Sequence, residues 1–151
     1  MEWGGLWTIK KRKIIKQYLE IYATALKNKN YNKWYIDAFA GSGYHSPVPQ
    51  NNRPSLFDIE LPEEREELFY STAFLALKVN PSFDKYIFIE IDKKNIDDLR
   101  NVCDQYNHLN IDYMNMDVNE AIVILCELLK KKELIYTRAV MFLDPFGMQV
   151  K

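Results

Sequence analysis

Apolar positions at Ile14, Ile15, Tyr18, Leu19, Tyr22 and Leu26 recur at helical spacing and predict a helix over about residues 10–26, within an N-terminal helical segment 1–30. Asn28 to Asn32 then supply polar breakers. The run Trp34-Tyr35-Ile36-Asp37-Ala38-Phe39-Ala40 is apolar except for one acid and ends in Gly41-Ser42-Gly43, so it reads as a buried strand entering a tight turn. Residues 44–61 contain Pro47, Pro49 and Pro54 and read as a loop insertion. Pro62 and the acids after it open a helix expected to reach Val79.

The remaining pattern alternates. Lys85–Ile91 predicts a strand, and Asp92–Tyr106 a helix with Ile96, Leu99, Cys103 and Tyr106 on one face. Ile111–Met114 predicts a short strand, and Val118–Leu129 a helix turning Ala121, Ile122, Leu125, Leu128 and Leu129 inward. Arg138–Leu143 is the fourth strand. Helices alternating with strands predict an α/β fold: a Rossmann-like parallel sheet with helices on both faces.

Composition narrows this modestly. The 151 residues suit a single domain, and 48% hydrophobic residues argue against global disorder. Lys and Arg number 20 against 21 Asp and Glu, a formal net charge of -1 that does not point to a nucleic-acid binder. The basic stretch Lys10-Lys11-Arg12-Lys13 is expected to be a solvated helix face. Cys103 and Cys126 fall in apolar helical patterns and are expected to be buried free thiols. With no signal-like or membrane-length apolar run, the expected location is the cytoplasm.

Candidate chemistry gathers at the predicted strand ends, where open α/β sheets bind ligands. The first strand leads through Asp37 and Phe39 to Gly41 and Gly43, the second to Glu90 and Asp92, the third to Asp117, and the fourth to Asp144-Pro145-Phe146-Gly147. The first loop lacks the third glycine of a dinucleotide fingerprint. Asp37 suits a positively charged ligand group, such as the ammonium of a methionine moiety, better than a pyrophosphate. Glu90 can accept two ribose hydroxyls at once. Asp92 suits a helix cap, and Asp117 suits either a cap, with Glu120 three residues on, or an adenine amine. Asp144 can accept from an amine awaiting methylation, Pro145 stiffens the loop, and Phe146 can stack on a flat substrate. His45 lies in the proposed ligand loop, and His108 is expected in solvent. The sequence has no Walker loop, no Ser/His/Asp arrangement and no metal-ligand spacing.

At these residues the chain resembles the three-Cys-motif partner proteins (TcmP), a bacterial group with a class I S-adenosylmethionine-dependent methyltransferase-like fold. The matching pieces are Trp7-Thr8, Lys10, Tyr18-Leu19, the stretch from Tyr35 to Gly43, Ser71-Thr72-Ala73, Ala76-Leu77, Tyr86 to Glu90, and Phe142 to Met148. The resemblance implies S-adenosyl-L-methionine as cofactor, with Asp37, Phe39, Gly41 and Gly43 at its methionine end, Glu90 at the ribose and Asp117 near the adenine. It implies that Asp144, Pro145 and Phe146 face the methyl acceptor. It also implies a partner, a three-cysteine protein that looks like a radical-SAM enzyme.

Amino-directed DNA methyltransferases usually carry an acid or Asn, two prolines and an aromatic, whereas Phe146 and Gly147 stand in the last two places here. Adenine-N6 chemistry is therefore only an analogy, and the expected reaction is methyl transfer to a nitrogen of the substrate, with nucleic acid among the acceptors considered. A complete domain of this class has roughly three further strands, so the chain is expected to be its N-terminal part, with the Val140–Leu143 edge open to self-association. Two other functions compete: a catalytically degenerate fold serving as a binding subunit, and a nicotinamide-dependent oxidoreductase, which the incomplete glycine fingerprint disfavours.

Overall fold

In the computed structural model, residues 3–43 and 71–144 are described, with side chains from Lys10 onward. The elements are α1 (Trp3–Leu26), β1 (Asn32–Asp37), α2 (Thr72–Leu77), β2 (Lys85–Ile89), α3 (Lys93–Cys103), β3 (Ile111–Met114), α4 (Val118–Leu129) and β4 (Thr137–Phe142). The strands form one parallel sheet in the order β3-β2-β1-β4. From β1 the chain steps outward through β2 to β3, then returns to place β4 on the other side of β1. The strand order therefore reverses between β1 and β4, and the crevice this creates opens at their carboxyl ends.

Side chains alternate across each strand, which divides the core into two layers. Tyr35, Tyr86 and Phe88 pack with Leu19 and Ala23 of α1, Ala73 and Ala76 of α2, and Leu99 and Cys103 of α3. Their rings meet Phe83 at 5.7 Å from Tyr35 and 5.9 Å from Tyr86. Trp34, Ile36, Ile87 and Ile89 point the other way, against Ala121 and Leu125 of α4. Both faces of β1 and β2 are thus covered, which is why these strands read as continuous apolar runs.

Several expectations need correction. The strand predicted as Trp34–Ala40 ends at Asp37, because the Asp37 carboxylate accepts from the Phe39 amide two residues on and bends the chain. The second strand ends at Ile89, where Glu90 accepts from the Asp92 amide in the same way. The helix predicted to Tyr106 ends at Cys103 and tightens into a 3-10 turn over Asp104–Tyr106. Helix α1, Trp3–Leu26, extends the periodic stretch 10–26 toward the N-terminus and lies within the helical segment expected over 1–30. Of the helix predicted over 62–79, Thr72–Leu77 is seen, capped by Ser71, while 62–70 and the 44–61 insertion lie outside the described residues.

Burial also departs from expectation in α1 and α4. Cys103 is buried, but Cys126 is exposed: it follows the buried Leu125 and so sits about 100° round the helix. Ile14 and Tyr18 face outward rather than into the core. The basic stretch is not simply solvated, for Arg12 is buried on the stripe it shares with Leu19 and Ala23. His108 is exposed as expected.

Candidate functional site

The sheet order places the four predicted acids in one row, Asp117-Glu90-Asp37-Asp144, along the carboxyl rim. Asp37 is the last residue of β1, Glu90 follows β2, Asp117 caps α4 just beyond β3, and Asp144 lies two residues past β4. Strand register pairs Asp37 with Phe142, and the Ala38 amide donates to the Phe142 carbonyl at 3.0 Å. Asp37 and Asp144 are close enough for the charge of Asp144 to act on Asp37.

Asp37 is the most constrained of the four. It is 1% exposed and points from β1 toward α2. Thr72 Oγ1 donates to Oδ2 at 2.8 Å, Tyr35 Oη to Oδ2 at 3.1 Å, and the Phe39 amide to Oδ1 at 3.1 Å. Burial raises its pKa from 3.8 to about 6; the three donors pull it back down, and the neighbouring Asp144 charge adds to the rise. The Tyr35 hydroxyl is pushed well above its ordinary value, first by its own burial and then by the Asp37 charge. Of the roughly four lone-pair directions of the carboxylate, about one remains for a ligand.

Glu90 joins the loops. Its Oε2 accepts from the Gly41 amide at 3.0 Å and its Oε1 from the Asp92 amide at 2.8 Å. Each oxygen therefore keeps a second acceptor direction, the arrangement needed to take two neighbouring hydroxyls. Asn115 fixes the peptide beneath, donating to the Glu90 and Ile91 carbonyls at 2.9 Å.

The glycine turn is held by the same contacts. Gly41 has φ +65° and Gly43 φ +88°, both in the region that favours glycine. A Cβ on Gly41 would meet nothing within 4 Å, so this backbone is open to close approach. A Cβ on Gly43 would stand 3.2 Å from Leu99 Cδ1, so that glycine instead lets the turn pack on α3. The Ser71 amide donates to the Gly43 carbonyl at 2.9 Å and brings the start of α2 back to the turn. A hollow of about 360 Å³ beside it is lined by Ser42, Asp98, Asn101 and Val102. None of the four rim acids lines that hollow.

The outer acids have evident local work. Asp92 caps α3, accepting from the Asn95 amide at 2.9 Å. Asp117 caps α4, accepting from the Asn119 amide at 2.8 Å. Asp144 is half exposed and accepts from Lys11 Nζ of α1 at 2.7 Å. An exposed pair of this kind contributes about 0–1 kcal/mol. It nonetheless puts an ammonium where an approaching donor group would have to compete.

Sequence reasoning missed three participants: Thr72 and Tyr35, which hold Asp37, and Lys11, which holds Asp144. The spacing of Tyr35 two residues before Asp37 on one strand face was a usable signal; the approach of α1 and α2 was not, since both are contacts distant in sequence. His45, Pro145, Phe146 and Gly147 lie outside the described residues. Among the described residues no helix is long and apolar enough to cross a membrane.

No family model and no curated protein matches the sequence. Among solved structures the chain is similar to the crystal structure of a protein from Legionella pneumophila strain Philadelphia 1, of the family designated DUF519, with TM-score 0.56 and 16% identity. The match covers 91% of this chain and 57% of that one, so the chain spans little more than half the length of that protein. At this identity the likeness is one of fold: a parallel α/β sheet with helices on both faces.

Proposed function

We propose that this chain carries an S-adenosylmethionine-dependent methyltransferase domain of the class I type, related to the three-Cys-motif partner proteins and directing methyl transfer to a nitrogen of its substrate. The observation that carries the reading is the row of acids at the β1/β4 switch point beside a glycine turn whose Gly41 face is open. A row of carboxylates repels a pyrophosphate and attracts a cationic ligand.

The donor set suits the cofactor. Glu90 retains one acceptor direction on each oxygen for the ribose hydroxyls, and the buried Asp37 offers its remaining direction and its charge to an ammonium. Asp117 stands at the far end of the row, on the adenine side. Asp144 has an exposed carboxylate that can accept a hydrogen from the acceptor nitrogen and orient its lone pair. The bound cofactor would supply the methyl group as a sulfonium substituent, already activated for displacement. What the chain must add is alignment and exclusion of water. Lys11 is displaced from Asp144 when the acceptor docks.

A second reading, a degenerate fold acting as a binding subunit for a three-cysteine partner, is favoured by Lys11 already holding the Asp144 carboxylate. Isothermal titration calorimetry with S-adenosylhomocysteine separates the two. The methyltransferase reading expects saturable binding to the chain. Absence of heat at millimolar ligand, with the protein folded, removes that reading and leaves the subunit role.

A further inference from the structure

The near-neutral net charge conceals a division between the two ends of the sheet. The stretches forming the carboxyl rim, 37–43, 90–92, 115–120 and residue 144, contain six acids (Asp37, Glu90, Asp92, Asp117, Glu120 and Asp144); the cations beside them, Lys11, Lys93 and Lys94, are paired with Asp144, Asp97 and Asp98. At the opposite rim, residues 27–33 lead into β1 and residues 130–138 lead into its neighbour β4. These two stretches hold Lys27, Lys29 and Lys33 with Lys130, Lys131, Lys132 and Arg138, seven bases against the single acid Glu133. Six residues of β1 at about 3.3 Å each separate the rims by roughly 20 Å.

The two basic stretches form one surface. The Asn32 amide donates to the Tyr136 carbonyl at 2.9 Å, and Lys33 is the register partner of Arg138. Arg138 lies over the Tyr31 ring at 4.2 Å and donates to the carbonyls of Ile135 and Thr137. Tyr136 beside it is 64% exposed.

Some of the charge has a local purpose. Lys33 pairs with Asp84 at 3.3 Å and Lys130 with Glu127 at 2.7 Å. Lys27 and Lys130 also sit directly after α1 and α4, where the helix dipole favours a cation. That effect fades within a turn, and Lys29, Lys131 and Lys132 lie two or three residues past the helix ends, where it is weaker. Among the described residues no ion pair engages Lys27, Lys29, Lys131 or Lys132.

We propose that this amino-terminal rim is a binding surface for single-stranded nucleic acid, with phosphates on Lys27, Lys29, Lys131 and Lys132 and bases against Tyr136 and the Tyr31–Arg138 stack. Clustered cations bind any polyanion, but the exposed Tyr136 ring and the Arg138 guanidinium plane on the part-buried Tyr31 add surfaces for base stacking, which favours nucleic acid over an acidic polypeptide. The site is independent of the cofactor reading: it lies at the other end of the strands and uses none of its residues.

Fluorescence anisotropy with labelled oligothymidylate on the full chain tests it. The expected dissociation constant is about 1–100 µM at about 50 mM salt, with a log-log salt slope near -3 for four phosphates at ~0.7 each. The pair Lys131→Glu and Lys132→Glu weakens binding at least about tenfold and flattens that slope. Tyr136→Ala weakens it about tenfold with the slope unchanged. The pair Lys93→Glu and Lys94→Glu, an equal charge change at the amino end of α3, leaves binding as it was. Three results overturn the proposal: no binding by the unaltered chain, equal weakening by both charge-reversed pairs, or displacement by polyglutamate as effective as by unlabelled oligothymidylate. S-adenosylhomocysteine binding is the same in the Lys131/Lys132 and Tyr136 variants, so the two sites succeed or fail separately.

Discussion

Replacing Asp37 with Asn is expected to make the protein more stable at neutral pH and no more stable in acid. The carboxyl ionises near 3.8 when solvated and at about 6 in the fold. A carboxylate whose pKa rises on folding supports the folded state fully below about pH 3.8, and that support is lost as pH climbs through about 6. At ~1.4 kcal/mol per pH unit, the interval amounts to a cost of about 3 kcal/mol once the buried group is ionised. Asn has nearly the same shape and carries no charge. Its oxygen can keep the Phe39 amide bond, but its amide nitrogen faces the Thr72 and Tyr35 hydroxyls, which must rotate to accept. The net gain at pH 7.5 is therefore smaller than the full cost, about 1–2 kcal/mol, or some 2–8 °C in Tm at about 2–4 °C per kcal/mol. Thermal unfolding followed by circular dichroism at pH 4 and pH 7.5 checks it. If the variant loses the same stability at both values, Asp37 carries no ionisation cost. A buried charge held at such a cost at the carboxyl end of a parallel strand marks Asp37 as a candidate for the proposed site.

The second large effect concerns affinity. Glu90→Ala removes both acceptors proposed for the ribose, each a hydrogen bond to a charged group worth about 1.5–3 kcal/mol. Together these correspond to about a hundredfold or greater loss of affinity for S-adenosylhomocysteine, at ~1.4 kcal/mol per decade. Stability falls less, by about 1 kcal/mol, because the Gly41 and Asp92 amides can turn to water at a partly exposed position. Parallel calorimetry and urea denaturation read the two quantities. An affinity within twofold of the unaltered chain, in a folded variant, would remove Glu90 from the site.

The alternation of helix and strand was readable because local signals agreed with the packing. Ile111–Met114 and Val118–Leu129 fall where the pattern puts them, the latter fixed at its start by Asp117. Strand ends are less readable, because Asp37 and Glu90, acids suited to ligand contacts, also turn the chain where the strands stop. Asp37, Glu90 and Asp117 each accept from the amide two residues on, so the acids of the proposed site carry the same spacing signal as the turns they make. The placement of the acids in one row followed from the strand order, which the alternation implied without specifying. What the pattern could not give was long-range: Thr72 reaching Asp37 across 35 residues, and Lys11 reaching Asp144 across 133. The division of charge between the rims was hidden for the same reason, since a net value carries no positions.

A carboxyl rim that binds a sulfonium nucleoside must respond to one at its own backbone amides. The most direct test of that binding is an amide NMR titration of the isotope-labelled chain with S-adenosylhomocysteine. Saturable shifts are expected at Phe39, Gly41, Gly43, Asp92 and Val118, with Lys131 and Lys132 unmoved. Saturating ligand that leaves Gly41 and Asp92 in place, or that moves only amides away from this rim, contradicts it.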